Sequence, residues 1–315
     1  MKKIFISAPY LHRDRNWVEK NILDHLERKY EVIWIPVEER LSERELMSFI
    51  HEPYGIICGD DAFSEKVIRA AKNLKVIVKW GTGVDSIDVR AAEFNGIEIK
   101  RTPGAFTTPV AETTLGFILN HYRGISKNNE IFVGGGWDKP SGDTLSKKVV
   151  GIVGFGDIGR RVAELLSAFG AIILVNDTRE IPRDELLQGK YRTATLPEIL
   201  QSADIISLHC DLNETSRLLL NKAAFSLMQR QPFLVNTARG GLVDYDALLN
   251  ALSEGRVSGC GLDVFDEEPV PVSSPLRGHP AVTASCHNSN SSLRHWRKIH
   301  SNSFAMLLSA LEGDQ

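Results

Sequence analysis

Val149-Val150-Gly151-Ile152-Val153-Gly154-Phe155-Gly156-Asp157-Ile158-Gly159 decides the fold. A short run of apolar and small residues reads as a buried strand, and the glycine pattern GxGxxG that follows opens a helix running to about Phe169. In that setting Gly154 permits the tight turn, Gly156 lets a pyrophosphate approach the backbone, and Gly159 lets the helix pack closely on the strand. The first amides of the helix, at Asp157 and Ile158, then face the anion. The next apolar run, Ile172 to Val175, ends at Asp177, which lies 18 residues beyond Gly159. An acid at that distance accepts hydrogen bonds from the adenosine ribose hydroxyls and repels a 2′-phosphate. The pattern therefore points to NAD rather than NADP, with Arg179 as the neighbour that could receive a phosphate instead.

Outward from this stretch, short runs rich in Val and Ile alternate with longer amphipathic segments. Such alternation predicts parallel sheets covered by helices. Around the glycine motif the strand candidates are Val149 to Val153, Ile172 to Val175, Ile205 to Leu208, Phe233 to Val235, Gly259 to Leu262 and Val282 to Ala284. Upstream they are Ile4 to Ser7, Val32 to Ile35, Gly55 to Cys58, Val76 to Val78 and Ile97 to Ile99, separated by helical segments near 15–29, 42–50, 64–73 and 88–94. A helix over Val110 to Tyr122 and a Gly- and Pro-rich loop at 134–142 join the two series. After about 290 one amphipathic helix, with Leu293, Trp296, Ile299, Phe304, Leu307 and Leu308 near one face, is expected to pack on the first series.

The chain has 315 residues, and its 37 Lys and Arg against 40 Asp and Glu leave a net charge of −3. Attraction to nucleic acid or to an anionic membrane surface is not expected. No apolar run approaches the ~18 residues of a membrane span. The four cysteines are widely spaced and form no CxxC pair, and no His, Cys and carboxylate cluster has zinc-ligand spacing, so no metal is expected. A soluble cytoplasmic protein is the simplest reading.

If the second sheet is parallel, ligands belong at the carboxyl ends of its strands. Polar residues collect there: Asn236-Thr237-Ala238-Arg239-Gly240-Gly241 after one strand, Asp263 and Phe265-Asp266-Glu267-Glu268-Pro269 after the next, and Ser285-Cys286-His287 after the last. An arginine, a glutamate and a histidine thus converge on one rim. A histidine is the side chain suited to exchange a proton near neutrality. A carboxylate bonded to its ring fixes the ring's orientation, and a guanidinium holds a substrate carboxylate in two-point fashion.

These segments resemble the signatures of the D-isomer-specific 2-hydroxyacid dehydrogenases. The resemblance runs from Lys79-Trp80-Gly81-Thr82-Gly83-Val84-Asp85 through Pro103-Gly104-Ala105 and the glycine motif to the Arg239, Glu268 and His287 segments. It implies an α/β fold of two doubly wound parallel-sheet domains. Residues 1–101 with 289–315 would form a flavodoxin-like substrate domain and 102–288 a Rossmann NAD-binding domain, with the active site in a cleft between them. The implied activity is NAD-dependent hydride transfer at C2 of a 2-hydroxy or 2-oxo acid, with 3-phosphoglycerate as one candidate. Arg239, Glu268 and His287 would be catalytic, and His209, Thr237, Ala238, Arg239 and Asp263 would join the glycine motif and Asp177 around the cofactor. The amides of Thr82, Gly83 and Val84, together with Arg239 and His287, would hold the substrate. A homodimer through the NAD-binding domain is also implied, with 110–122 contributing.

Two features depart from the family pattern. Cys286 stands where Pro usually precedes the histidine, and Asn288-Ser289-Asn290 replaces a glycine-rich sequence after it. Asp60 and Asp61 stand where relatives acting on phosphoglycerate carry a basic residue, so a phosphorylated substrate would be repelled unless Lys79, Arg101 or Arg294 compensates. A nicotinamide-sensing protein of the corepressor type shares the fold and the Arg, Glu and His positions, and is the alternative.

Overall fold

Residues 1–182, 184, 186 and 190–313 are described by the computed structural model. They fall into two units, one formed by Met1–Phe106 with the segment from Ser291 onward, the other by Thr107–Asn290. Asp314 and Gln315, the last residues of the expected 289–315 segment, lie outside the described residues.

The first unit is built on five parallel strands, β1 (Lys2–Ile6), β2 (Tyr30–Trp34), β3 (Gly55–Cys58), β4 (Val76–Lys79) and β5 (Glu98–Lys100), in the order β2-β1-β3-β4-β5. Every residue of β3 and β4 is buried, as continuous apolar runs require of strands covered on both faces. Helix starts follow capping chemistry: Ser42 and Glu45 form a reciprocal box before Glu43–Phe49, and Asp88 accepts from the amide of Ala91 before Val89–Phe94. The segment expected as one helix over 15–29 begins at Pro9 and is broken into Pro9–Arg13, Arg15–Val18, a wide turn over Glu19–Leu23 and Asp24–Leu26. The first break falls at Asp14, which leaves helical geometry and accepts a hydrogen bond from Arg297 Nε at 3.1 Å.

The closing helix Leu293–Glu312 packs on β3, β4 and β5 of the same unit. It buries Ile299, Phe304, Leu307 and Leu311, whereas Leu293, expected on that face, is exposed. His300 is fully buried in this helix and accepts a hydrogen bond from Trp80 Nε1 at 2.9 Å. Burial pushes its imidazole down to about 4, so the ring is neutral at ordinary pH.

The second unit holds seven parallel strands, β6 (Val149–Val153), β7 (Ile172–Asn176), β8 (Tyr191–Thr193), β9 (Ile205–Leu208), β10 (Phe233–Asn236), β11 (Gly259–Leu262) and β12 (Val282–Ala284). Their order is β12-β11-β10-β9-β6-β7-β8, so the direction of winding reverses between β6 and β9. That reversal is where open α/β sheets form their ligand crevice. The strand β8 is one more than the sequence pattern suggests. It sits at the sheet edge with only Tyr191 buried, too short and too polar to register as an apolar run.

Thr107–Arg123 forms a long helix against β10 and β11, and buries Phe117 and Ile118 completely or nearly so. Those two residues therefore serve the core. The apolar surface lies farther along: Ile125–Val133 is a second helix with no buried residue, and Ile125, Phe132, Val133 and Trp137 are all exposed. Among the described residues no helix is long and apolar enough to cross a membrane.

One buried charge in the first unit has a measurable consequence. Asp61 follows β3, is fully buried, and accepts hydrogen bonds from Ser7 Oγ at 2.5 Å and from the amide of Leu41 at 2.7 Å. Burial outweighs those donors and pushes its carboxyl from 3.8 up to about 6. The native state then holds a proton that the unfolded chain has released, so stability from this group is lost as pH rises from about 4 through 6. Asp61→Asn should remove that loss. Denaturant melts should show wild type falling relative to the variant by on the order of 3 kcal/mol between pH 4 and 7, and a difference constant with pH would contradict the account.

Candidate active site

The polar residues singled out in the second unit all leave from the carboxyl ends of its strands. The glycine motif follows β6, Asp177 follows β7, His209 follows β9, Arg239 follows β10, Asp263 and Glu268 follow β11, and His287 follows β12. In parallel register Asn236 at the end of β10 faces Leu262 of β11, which faces Ala284 of β12. The arginine, glutamate and histidine loops are therefore next to one another.

The glycine loop has the form of an anion cradle. Gly154 has φ +92, and a Cβ there would meet Cys210 N at 2.4 Å, so glycine lets the segment after β9 close against the loop. Phe155 is buried beneath it in the core of the unit. A Cβ on Gly156 would meet nothing within 4 Å, and this residue starts the helix Asp157–Ala168 with no side-chain cap on the amides that follow. Those amides and the space before them suit a pyrophosphate. Asp177 Oδ2 accepts the amide of Phe155 at 2.7 Å and Oδ1 that of Arg179 at 3.1 Å, so the acid braces the loop while keeping lone pairs for a ribose. The Arg179 guanidinium lies beside it, with Nε 3.8 Å from Asp177 and Nη2 donating to the Phe155 carbonyl at 2.8 Å.

His209 Nε2 shares a hydrogen bond with Ser207 Oγ at 2.8 Å, and burial pushes the ring down to about 3. It is a neutral ring that contributes shape and hydrogen bonding rather than charge. Fully buried Asn236 shapes the next loop, donating from Nδ2 to the Arg239 carbonyl at 2.8 Å and accepting the Ala238 amide at 3.1 Å. Thr237, mostly buried, bonds Thr114 of the long helix through the two hydroxyls at 3.0 Å. Arg239 Nη1 donates to the Ala238 carbonyl at 2.7 Å.

Gly240, unremarked in the sequence beyond its place in the run, has a physical task. A Cβ on it would lie 1.9 Å from the carbonyl carbon of Phe265. Only glycine allows the arginine loop to press against the backbone that carries Glu268.

Glu268 is held at both oxygens. Oε1 accepts the amide of Phe265 at 2.8 Å, and Oε2 lies 2.8 Å from His287 Nδ1. A carboxylate only accepts, so Nδ1 carries the ring proton in this pair and Nε2 is the atom left to exchange one. His287 stands at φ +46, a left-handed conformation unusual for a residue with a side chain. Cys286 beside it is exposed, and the chain's four cysteines are all unpaired.

In the first unit, Thr82, Gly83 and Val84 follow β4 in an irregular half-buried turn entered through Gly81 at φ +140. Among the described residues no acceptor takes their amide N–H groups. Arg101 Nη1 donates to the Thr82 carbonyl at 3.3 Å. Beneath the turn, buried Lys79 pairs with Asp60 at 2.7 Å.

Comparison with known proteins bears on these features together. Residues 115–289 match the family described as D-isomer specific 2-hydroxyacid dehydrogenase, NAD binding domain. A glyoxylate reductase of Thermofilum pendens is 34% identical over 280 residues, covering 87% of this chain and 83% of that protein. A hydroxypyruvate reductase of Thermotoga maritima is 37% identical over 234 residues, covering 73% and 75%. The crystal structure of a glyoxylate reductase from Paecilomyes thermophila aligns with a TM-score of 0.87 at 25% identity, over 100% of this chain and 96% of that one. With residues 115–289 matched by that family and relatives at 34% and 37% identity, this chain belongs to the D-isomer-specific 2-hydroxyacid dehydrogenase family.

Proposed function

We propose that the chain uses NAD(H) to interconvert a short, unphosphorylated 2-oxo acid and its D-2-hydroxy acid by hydride transfer at C2, with Arg239, Glu268 and His287 as its catalytic residues. The observation that carries this reading is the His287–Glu268 pair at 2.8 Å, with the carboxylate anchored on the Phe265 amide. In oxidation, Nε2 of His287 takes the hydroxyl proton while Glu268 faces the developing imidazolium; in reduction the same nitrogen returns a proton to the carbonyl oxygen. The Arg239 guanidinium binds the substrate carboxylate and polarises the carbonyl. The amides of Thr82, Gly83 and Val84 are assigned to that carboxylate as well, which makes the first unit the substrate domain.

The cofactor assignments are Gly154, Gly156, Asp157, Ile158, Gly159 and Asp177 for the adenosine and pyrophosphate, with His209, Thr237, Ala238, Arg239 and Asp263 toward the nicotinamide. Asp177 favours NAD, and the exposed Arg179 guanidinium lies against Asp177 and the Phe155 carbonyl.

Charge near β3 supports an unphosphorylated substrate. Lys79, one cation that could offset the two acids there, is committed to Asp60, and Asp61 is buried with its proton held to about pH 6. The pair leaves no surplus positive charge for a phosphate. The relatives named for glyoxylate and hydroxypyruvate agree with short acids of this kind, whereas others named D-3-phosphoglycerate dehydrogenase make the phosphate ester the competing substrate. Relatives named as enzymes also favour catalysis over a sensing role.

We further assign the protein to the cytoplasm, consistent with its unpaired cysteines, and to a homodimer. Ile125, Phe132, Val133 and Trp137 supply the exposed apolar surface for the partner.

Absorbance at 340 nm with glyoxylate, pyruvate, hydroxypyruvate and its 3-phosphate, each with NADH and NADPH, tests the main reading. Turnover is expected with NADH and the unphosphorylated acids, and weaker turnover with the phosphate ester; preference for the ester would reverse the substrate assignment. NADH binding with no turnover of any acid would restore the sensor. His287→Ala should lower kcat by roughly two to four orders of magnitude and leave NADH affinity near wild type. A variant that keeps most of its rate removes the histidine from the chemistry. Phe132→Asp should shift a dimer to monomer in sizing chromatography, and an unchanged elution volume would move the interface elsewhere.

A further inference from the structure

The loop that carries His287 lacks the covalent stiffness expected beside a proton-transferring residue. Cys286 and Asn288 flank it, with no proline or glycine in 285–290, and His287 itself occupies a left-handed conformation at φ +46. Such a conformation costs on the order of 1–2 kcal/mol for a residue with a side chain and persists only where neighbours hold it.

One side chain ties the loop on both sides of His287. The fully buried Asp263 carboxylate accepts Ser285 Oγ at 2.5 Å and the Asn288 amide at 2.8 Å on Oδ1, and the Ser289 amide at 3.0 Å on Oδ2. The backbone adds to the same contact, since the His287 amide donates to the Asp263 carbonyl at 2.8 Å and the Ser285 amide to that of Leu262 at 2.9 Å. The segment is thus tied before and after His287 to a residue at the end of β11, the strand from which Glu268 also departs. From the other side Thr113 Oγ1 donates to the Ser289 carbonyl at 3.3 Å.

We infer that Asp263 and Ser285 form a buckle that sets the position of His287 against Glu268, and that they act as positioning residues. The inference rests on the reading of His287 as proton carrier. Fixing the loop at both ends of the histidine keeps its Nδ1 within bonding distance of a carboxylate that is itself immobilised, and proton transfer tolerates misplacement of about 1 Å poorly. Three donors on one carboxylate do here what a proline and glycines would do by restricting the chain. Ser285 matters because, among the described residues, it is the one side-chain donor to this carboxylate and its only tie on the amino-terminal side of the histidine.

Asp263→Asn keeps the shape but turns one acceptor oxygen into an amide NH2 that faces a donor, and Ser285→Ala removes one tie with little change in volume. Both are compared with wild type and with His287→Ala by NADH fluorescence titration, steady-state kinetics across pH, and melting temperature. The expected result is kcat reduced about tenfold or more in Asp263→Asn and severalfold in Ser285→Ala, with NADH affinity in Ser285→Ala within about twofold of wild type. In both variants the pH profile of 2-oxo-acid reduction should move to lower pH, because an imidazole displaced from Glu268 loses the partner that favours its protonated form.

Loss of NADH affinity in Ser285→Ala with an unmoved pH profile would make the Asp263–Ser285 contact a support of the cofactor site rather than of His287 and overturn the inference. Wild-type kcat and profile in both variants, with His287→Ala crippled, would also overturn it while the proton-carrier reading stands. An active His287→Ala would instead bring down that reading and the buckle with it. Should Asp263→Asn melt far below wild type, Ser285→Ala decides by the same measurements.

Discussion

Burial of the central strands on both faces is the constraint from which the candidate site follows. β9, β10 and β11 have no exposed residue along their length, so an unpartnered polar side chain within them would cost several kcal/mol. Polar chemistry is therefore pushed to the strand ends, where the chain leaves the sheet and backbone groups of the turns become partners. Ser207, Asn236 and Asp263 are all fully buried at or next to those ends, and each is hydrogen-bonded to the loop it supports. Residues far apart in the chain meet because adjacent strands run in the same direction and stop at the same level.

The two units handle charge differently. In the second, the acids are immobilised by amides: Asp177 by Phe155 and Arg179, Glu268 by Phe265, Asp263 by Asn288 and Ser289. Amide donors fix a carboxylate without cancelling its charge, which leaves Glu268 able to act electrostatically on an imidazole. In the first unit the acids are held differently, Asp60 paired with a buried lysine and Asp61 buried with its proton affinity raised. One arrangement holds a carboxylate's charge in place beside an imidazole, and the other pairs it with a lysine or weakens its ionisation by burial.

Much of this was legible in the sequence because it depends on periodicity and chain order. Apolar runs such as Ile205–Leu208 are continuous because the strands are buried on both sides, and a glycine motif with an acid after the next run has few other uses. What remained hidden depends on contacts between distant residues. The edge strand Tyr191–Thr193 carries too little apolar surface to be distinguished from a turn. Phe117 and Phe132 cannot be sorted into core and surface by hydrophobicity alone, yet Phe117 is buried and Phe132 exposed. The task of Asp263 was also unreadable, since a strand-end acid gives no sign of which amides it will meet. Gly240 is a similar case: its neighbour across the gap, Phe265, lies in a different loop.

The cysteines have a practical consequence. Cys58 and Cys260 are buried and Cys210 is half-buried, and burial pushes all three thiols upward, Cys210 to about 11 and Cys260 to about 12. Alkylating reagents act on thiolates, which these three scarcely form at neutral pH. Cys286 is the exposed thiol, one residue from His287. The native chain thus offers a built-in attachment point for a fluorescent or spin label beside the imidazole, requiring no engineered cysteine to watch that loop.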